Sequence, residues 1–186
     1  MTTQFASRAG EKLEHALKEL SIDVQGKICA DFGSSTGGFV DCLIRHGAMK
    51  VYAVETGYGI LDWRLRNNPK VIVKERTNAM HITLAEKMDI ITNDTSWTKQ
   101  KNILPNILNN LKEKGTIITL IKPHYEADKS LLHKGVLTEN IADTVAQQTV
   151  EDIIKVFPLT VLGFTKSPIL GAKGGNTEYL AYLKRL

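Results

Sequence analysis

The sequence has only two cysteines, Cys29 and Cys42, and they form neither a C-x-x-C pair nor any spacing used by metal-binding thiols. Cys29 falls in an apolar, strand-like run and Cys42 in the helical stretch behind it, so both read as reduced core residues and not as a disulfide framework. The five histidines, at 15, 46, 81, 124 and 133, also lack metal-ligand spacing, and no metal is expected. No apolar run approaches the roughly 18 residues that a membrane span needs, and no charged-then-apolar leader opens the chain. A cytoplasmic protein without a membrane partner is the expectation. Internal repeats and low-complexity segments are absent as well. So is the G-x-x-x-x-G-K-[ST] loop, which removes the usual phosphate-cradling turn.

What remains is an ordinary globular composition, with 186 residues, 42% of them hydrophobic and 24% charged, enough for one domain with a full core. A net charge of +4 and a pI near 9.0 lean toward an anionic partner such as nucleic acid, but the basic residues are spread along the chain and the lean is slight.

The informative stretch is 27–39, K-I-C-A-D-F-G-S-S-T-G-G-F. An apolar run ends in Asp31, breaks into a loop of glycines and hydroxyls, and resumes with helical spacing at Phe39. This predicts a strand, a tight turn and a helix N-terminus, with Gly33, Gly37 and Gly38 clearing side chains from the turn. A second run, 51–54, ends in Glu55, the place where the next strand of a β-α-β unit offers a carboxylate to ribose hydroxyls. Position 35 is Ser where a dinucleotide fingerprint needs its middle glycine to approach a pyrophosphate. A nucleoside without phosphates fits better, and S-adenosylmethionine is such a ligand.

Strands are predicted at 27–31, 51–55, 71–75, 89–93, 116–121, 159–165 and 179–183, with helices at 7–20, 37–46, 103–112 and 140–157. The alternation predicts an α/β fold with a mostly parallel sheet and helices on both faces. The loop between the last two strands is too short for a crossover, which makes them antiparallel. Ser7 is expected to cap the first helix; Arg8 and Lys12 lie off its apolar stripe and read as a solvated face. Residues 122–138 form a long connection without a clear element. Ligands of such sheets bind beyond the carboxyl ends of the parallel strands. That edge collects Asp31, Gly33, Glu55, residues 76–78, Asp94 and Lys122, joined by Glu178 at the head of the reversed last strand.

One rival reading uses the same turn. Residues 33–37 spell G-x-S-x-G, and Ser35, Asp94 and His124 follow the order of a serine hydrolase, though that leaves Glu55 without a role. Asn93-Asp94-Thr95-Ser96-Trp97 lacks the prolines of base-methylating D/N-P-P-aromatic sites, which favours a ribose oxygen over a base nitrogen.

The stretches S-R-A-G-E-K-L (7–13), D-F-G-S-S-T-G-G-F-V-D-C-L (31–43), K-V-Y-A-V-E-T-G-Y-G-I-L-D-W-R-L-R (50–66), E-R-T-N-A (75–79), I-K-P-H-Y-E (121–126) and G-N-T-E-Y-L (175–180) resemble the hemolysin-A-type ribosomal RNA ribose methyltransferases of the FtsJ-like group. The resemblance runs over nearly the whole chain. It implies a class I S-adenosylmethionine-dependent, Rossmann-like fold of about seven strands, the last antiparallel to the rest, and methyl transfer to a ribose 2′-hydroxyl of ribosomal RNA in ribosomal subunits. It also implies a catalytic tetrad of Lys12, Asp94, Lys122 and Glu178. The implied cofactor pocket is Asp31, Gly33, Ser34, Ser35, Gly37 and Glu55, with Thr77 and Asn78 near the adenine and Asp94 beside the sulfur. Three tetrad members are also strand-end residues; Lys12 comes from the resemblance alone. The sequence departs from the family in having Glu at 55 where Asp is usual, T-S-W after Asp94 where V-S-F is usual, and only a few residues where an N-terminal S4-type RNA-binding domain generally stands. A protein of this type that binds cofactor and RNA without catalysis is the other alternative. A reagent that labels serine nucleophiles separates the hydrolase from both: it is expected to leave Ser35 unlabelled, and stoichiometric modification there would restore the hydrolase reading.

Overall fold

The computed structural model describes residues 4–172 and 174–186. Its strands are β1 (Ile28–Phe32), β2 (Lys50–Val54), β3 (Val71–Lys74), β4 (Met88–Asn93), β5 (Leu111–Ile121), β6 (Leu159–Lys166) and β7 (Tyr179–Arg185). They form one sheet in the order β3-β2-β1-β4-β5-β7-β6. All neighbours from β3 to β5 are parallel, and β7 runs antiparallel to both β5 and β6. The expected α/β architecture is therefore observed, including the reversed last strand. The chain builds outward from β1 in one direction and from β4 in the other, so the crevice between their carboxyl ends is the topological switch point.

The strands alternate sides, and each side has its own helices. Ala30, Phe32, Ile91, Ile117 and Ile121 pack on Ile103, Leu104 and Ile107 of α4 (Gln100–Asn110) and on Ala142, Ala146, Val150 and Ile153 of α6 (Glu139–Val156). Cys29, Val51, Ala53, Ile90, Ile118 and Leu120 face Leu13, Ala16 and Leu17 of α1 (Ala9–Glu19) and Phe39, Val40 and Leu43 of α2 (Gly38–Arg45). This period of two in the strands and 3.6 in the helices is the pattern from which the elements are legible. Both cysteines are free and buried, and burial pushes the Cys29 thiol up to about 12.

Three local expectations are corrected. Ser7 does not cap α1 with its side chain: its backbone carbonyl accepts the Gly10 N–H at 3.0 Å, and the preceding Ala6 N–H donates to the Asp41 carboxylate at 2.8 Å. The helix expected at 103–112 begins three residues earlier and stops at Asn110, because Leu111 already pairs with Met88 in β5. The connection at 122–138 holds two short turns of helix, α5 (Pro123–Glu126) and a 3-10 turn at Lys129–Leu131. A further short helix, α3 (Trp63–Arg66), stands between β2 and β3.

The irregular segment between β3 and β4 is fixed by asparagines of α4. Buried Asn110 accepts the Leu84 N–H at 2.8 Å and donates to the carbonyls of Ile82 at 3.0 Å and Asn106 at 2.8 Å. Asn106 reaches the Ala79 and Ile82 carbonyls at 2.6 and 3.0 Å. Asn110→Ala leaves the Leu84 N–H, a buried donor, without a partner and should cost about 2 kcal/mol of stability. Thermal or denaturant unfolding reads the loss directly, and a change within about 0.5 kcal/mol would show that this staple does not hold the segment.

Candidate active site

The loops at the carboxyl ends of β1, β2, β4 and β5, together with the N-terminal half of α1, enclose a cavity of about 690 Å³. Its wall includes Lys12, Asp31, Gly33, Ser34, Ser35, Glu55, Thr77, Asn78, Asp94, Lys122 and Glu178. Of the residues expected in the tetrad and the cofactor pocket, only Gly37 stands outside it; Arg76, collected at the same edge in the sequence, does not line it either. Gly37 caps α2 with φ +98, and a side chain there would strike Leu61 and Leu65, so its glycine serves conformation and packing.

Antiparallel β7 explains how a residue from the end of the chain enters the site. Ile121 pairs with Tyr179, so the residue just after β5, Lys122, and the one just before β7, Glu178, emerge together at the carboxyl edge of the parallel strands. Both are buried, Lys122 to 8% exposure and Glu178 to 4%, and Lys12 is buried to 6%. The lysines do not share one carboxylate. Lys12 pairs with Glu178, while Lys122 pairs with Asp94 at 2.5 Å. Lys122 also donates to the backbone carbonyls of Asp94 and Thr95, both at 3.3 Å, so three acceptors face its ammonium.

Beneath this edge lies a buried polar network. Asn93 donates to Thr119 at 2.9 Å, Thr119 to Gln100 at 2.7 Å, and Gln100 to the Leu120 carbonyl at 3.1 Å. The Gln100 N–H in turn reaches Glu126 at 2.7 Å. The network ties the ends of β4 and β5 to α4 and α5, just where Asp94 and Lys122 leave the sheet.

Gly33 takes φ +85, and a Cβ there would come within 3.0 Å of the Asp94 carbonyl and the Thr95 backbone. The two strand ends at the switch point thus approach more closely than a side chain allows. Asp31 and Glu55 have opposite surroundings. Burial pushes the Asp31 carboxyl up to about 7, although the Thr92 hydroxyl donates to it at 2.7 Å and pulls the other way; the Asp94 charge adds to the rise. Burial also raises Glu55, but donation from the Gly57 N–H at 2.8 Å, the Ser35 N–H at 2.9 Å and the Thr56 hydroxyl at 3.0 Å outweighs it and leaves Glu55 below the ordinary carboxylate value.

A matching family model spans residues 5–185, and its description is FtsJ-like methyltransferase. The chain belongs to this family. Hemolysin A of Brachyspira hyodysenteriae is 40% identical over 96% of this chain and 76% of its own length. The 23S rRNA (cytidine-2′-O)-methyltransferase TlyA of Campylobacter jejuni is 38% identical over 96% and 70%. A solved structure from Streptococcus thermophilus, of a protein described as a hemolysin, matches with a TM-score of 0.94 at 32% identity, covering this whole chain and 68% of the other. A protein of Listeria monocytogenes described as an S-adenosylmethionine-dependent methyltransferase shares the fold, with a TM-score of 0.66 at 16% identity and 96% and 97% coverage.

Against that family background the serine hydrolase has no geometry. Asp94 is held by Lys122, and no hydrogen bond joins Ser35, His124 and Asp94 among the described residues. Sequence reasoning also overlooked parts of the wall. Arg8 is exposed, as expected, but it also donates to the Leu170 carbonyl and lines the cavity. His124 lines it too, with its Nδ1 buried without a hydrogen-bond partner, and burial and Lys122 hold its pKa down. Trp97 is 77% exposed with φ +62 and stacks on Tyr125 at 5.3 Å; a bulky residue in the left-handed region is the kind of outlier that marks sites.

The Asp31 environment has a measurable consequence. Its folded pKa of about 7 lies above the ordinary 3.8, so the native state holds the proton more firmly than the unfolded chain. The stability this lends is complete below about pH 4 and is lost as pH rises to 7. Asp31→Asn should remove that loss: its thermal stability, compared with wild type across pH 5–8, should gain on wild type as pH rises. Parallel curves for the two proteins would show that Asp31 stays ionised throughout.

Proposed function

We propose that this chain transfers a methyl group from S-adenosylmethionine to a ribose 2′-hydroxyl of RNA, with ribosomal RNA in ribosomal subunits as the substrate and the cytoplasm as the place of action. The observation that carries the reading is the pair of buried ion pairs, Lys12–Glu178 and Lys122–Asp94, on the wall of a nucleoside-sized cavity whose relatives include ribose 2′-O-methyltransferases of ribosomal RNA.

The cavity wall suits this cofactor. Asp31, Glu55 and Asp94 offer carboxylates to a cationic ligand, and Glu55 stands where ribose hydroxyls are held in β-α-β sites. Gly33, Ser34 and Ser35 form the turn for the amino-acid end, and Thr77 and Asn78 the wall for the adenine. When bound, adenosylmethionine supplies an electrophilic methyl group. The protein must align the acceptor hydroxyl and answer the negative charge that grows on its oxygen. Lys122 is the group for that task. Its Nζ already faces three acceptors, an arrangement that suits electrostatic stabilisation of the oxygen better than proton abstraction, so the hydroxyl proton passes to solvent. Lys12, fixed by Glu178, adds a second positive charge at the same edge. Trp97 and Tyr125 provide a ledge on which the base of the acceptor nucleotide stacks.

Lys122→Met should leave adenosylmethionine affinity within about threefold of wild type while lowering transfer by at least about 100-fold, since the lost interaction belongs to the transition state. Calorimetry reads the first, and labelled methyl transfer to ribosomal subunits the second. The label should appear in a nuclease-resistant dinucleotide, the mark of a methylated 2′-oxygen. Wild-type turnover by this variant would reduce the ion pairs to a structural role. Label on a base nitrogen or on protein would overturn the substrate, and an intact cofactor site with no transfer to any RNA would favour the non-catalytic binder.

A further inference from the structure

Positive charge is concentrated in one segment of the chain. Residues 56–78 contain Arg64, Arg66, Lys70, Lys74 and Arg76 against Asp62 and Glu75, a net +3 of the chain's +4. Both acids are consumed within the segment. Asp62 pairs with Arg64 at 3.1 Å and caps α3 by accepting the Arg64 N–H at 2.8 Å. Glu75 pairs with Arg66 at 2.5 Å and accepts the Ile60 N–H at 3.2 Å. Among the described residues no carboxylate pairs with Lys70, Lys74 or Arg76.

Arg76 is the distinctive member. It is exposed, and its backbone takes φ +52, a conformation strained for a residue with a side chain. Its N–H donates to the Gly57 carbonyl at 3.0 Å, and its guanidinium lies 4.2 Å from the centroid of the Tyr58 ring. Stacking of this kind occupies the face of the guanidinium and leaves its edge donors available to an anion. Tyr58 is 69% exposed, and Trp63, at the head of α3, 75%. The same segment supplies Thr56, Ile60, Thr77 and Asn78 to the cavity wall, so the patch adjoins the site. Lysines on an edge strand such as β3 also guard against edge-to-edge pairing. That accounts for Lys70 and Lys74, but not for a strained arginine stacked on an exposed tyrosine in a segment that also exposes Trp63.

We propose that the surface formed by Arg76, Tyr58, Lys74 and Trp63 docks the sugar-phosphate backbone of the substrate RNA beside the acceptor nucleotide. The proposal rests on the RNA reading above and adds where the strand runs. Phosphates meet the unpaired cations, and the exposed rings accept bases without sequence preference.

The test compares wild type with Arg76→Ala, Tyr58→Ala and Lys74→Ala, using purified ribosomal subunits as substrate over a range of salt. Arg76→Ala should raise the KM for subunits about tenfold and lower the slope of log affinity against log salt by about 1. Its kcat and adenosylmethionine affinity should stay within about twofold. Lys74→Ala should show the same salt signature, and Tyr58→Ala a smaller rise in KM with the slope retained. Unchanged KM and slope in both Arg76→Ala and Lys74→Ala would overturn the proposal while leaving the methyltransferase reading intact. An Arg76→Ala protein that loses cofactor affinity instead would overturn it too, by showing that the residue shapes the cavity. If wild type methylates no RNA, that reading falls first, and the patch is then judged by direct binding of a fluorescently labelled ribosomal RNA fragment. Equal affinity for wild type and Arg76→Ala, or no binding by either, would end the proposal.

Discussion

Two ammonium groups buried at one edge of a sheet impose the condition that organises the site. An unpaired charge out of water costs several kcal/mol, and a paired one recovers that only with good geometry and further hydrogen bonds. Each lysine meets the condition differently. Lys12 depends on Glu178, far along the chain, and Lys122 depends on Asp94 and two carbonyls next to it. The reversed β7, the close approach at Gly33 and the Asn93–Thr119–Gln100 network all bear on where those partners stand. Apolar residues of similar volume often replace buried ion pairs without loss of stability. Two such pairs in one cavity wall are therefore better understood through chemistry than through folding energy.

The carboxylates nearby show how environment separates like groups. Glu55 is fed by backbone N–H donors and stays ionised, whereas buried Asp31 has only the Thr92 and Ser34 hydroxyls against two acidic neighbours and holds its proton to near neutrality. The cavity wall is thus less negative than its acids suggest. A cationic ligand would reverse the balance at Asp31, because the same burial that penalises a lone carboxylate strengthens its attraction to a positive partner.

Most of this architecture is legible in the residues, for a physical reason. Strands buried on both faces are short apolar runs, and the predicted 27–31, 51–55 and 89–93 lie within a residue of β1, β2 and β4. α4 is displaced because Gln100, Lys101 and Asn102 start it without an apolar stripe and Leu111 belongs to the next strand. α3 and α5, of four residues each, are too short to show a period. The strand-end acids and Lys122 follow from topology alone, since a parallel sheet brings its carboxyl ends together. Lys12 does not. On a helical wheel it flanks the apolar stripe like any solvated cation, and only its contact with Glu178, 166 residues away, draws it inward. Trp97 is hidden for the opposite reason, because its significance lies in being exposed.

The sheet order carries a consequence for how the protein comes into being. β7 lies between β5 and β6, so β6 has no partner until the segment that follows it has arrived. Chains emerge from the ribosome N-terminus first and fold largely as they emerge. Until residues 178–185 are free, β5 presents an open edge, β6 has nowhere to dock, and Lys12 has no counter-ion. This edge of the sheet therefore cannot form before the segment that follows β6, and a chain cut short of β7 would leave Lys12 without Glu178.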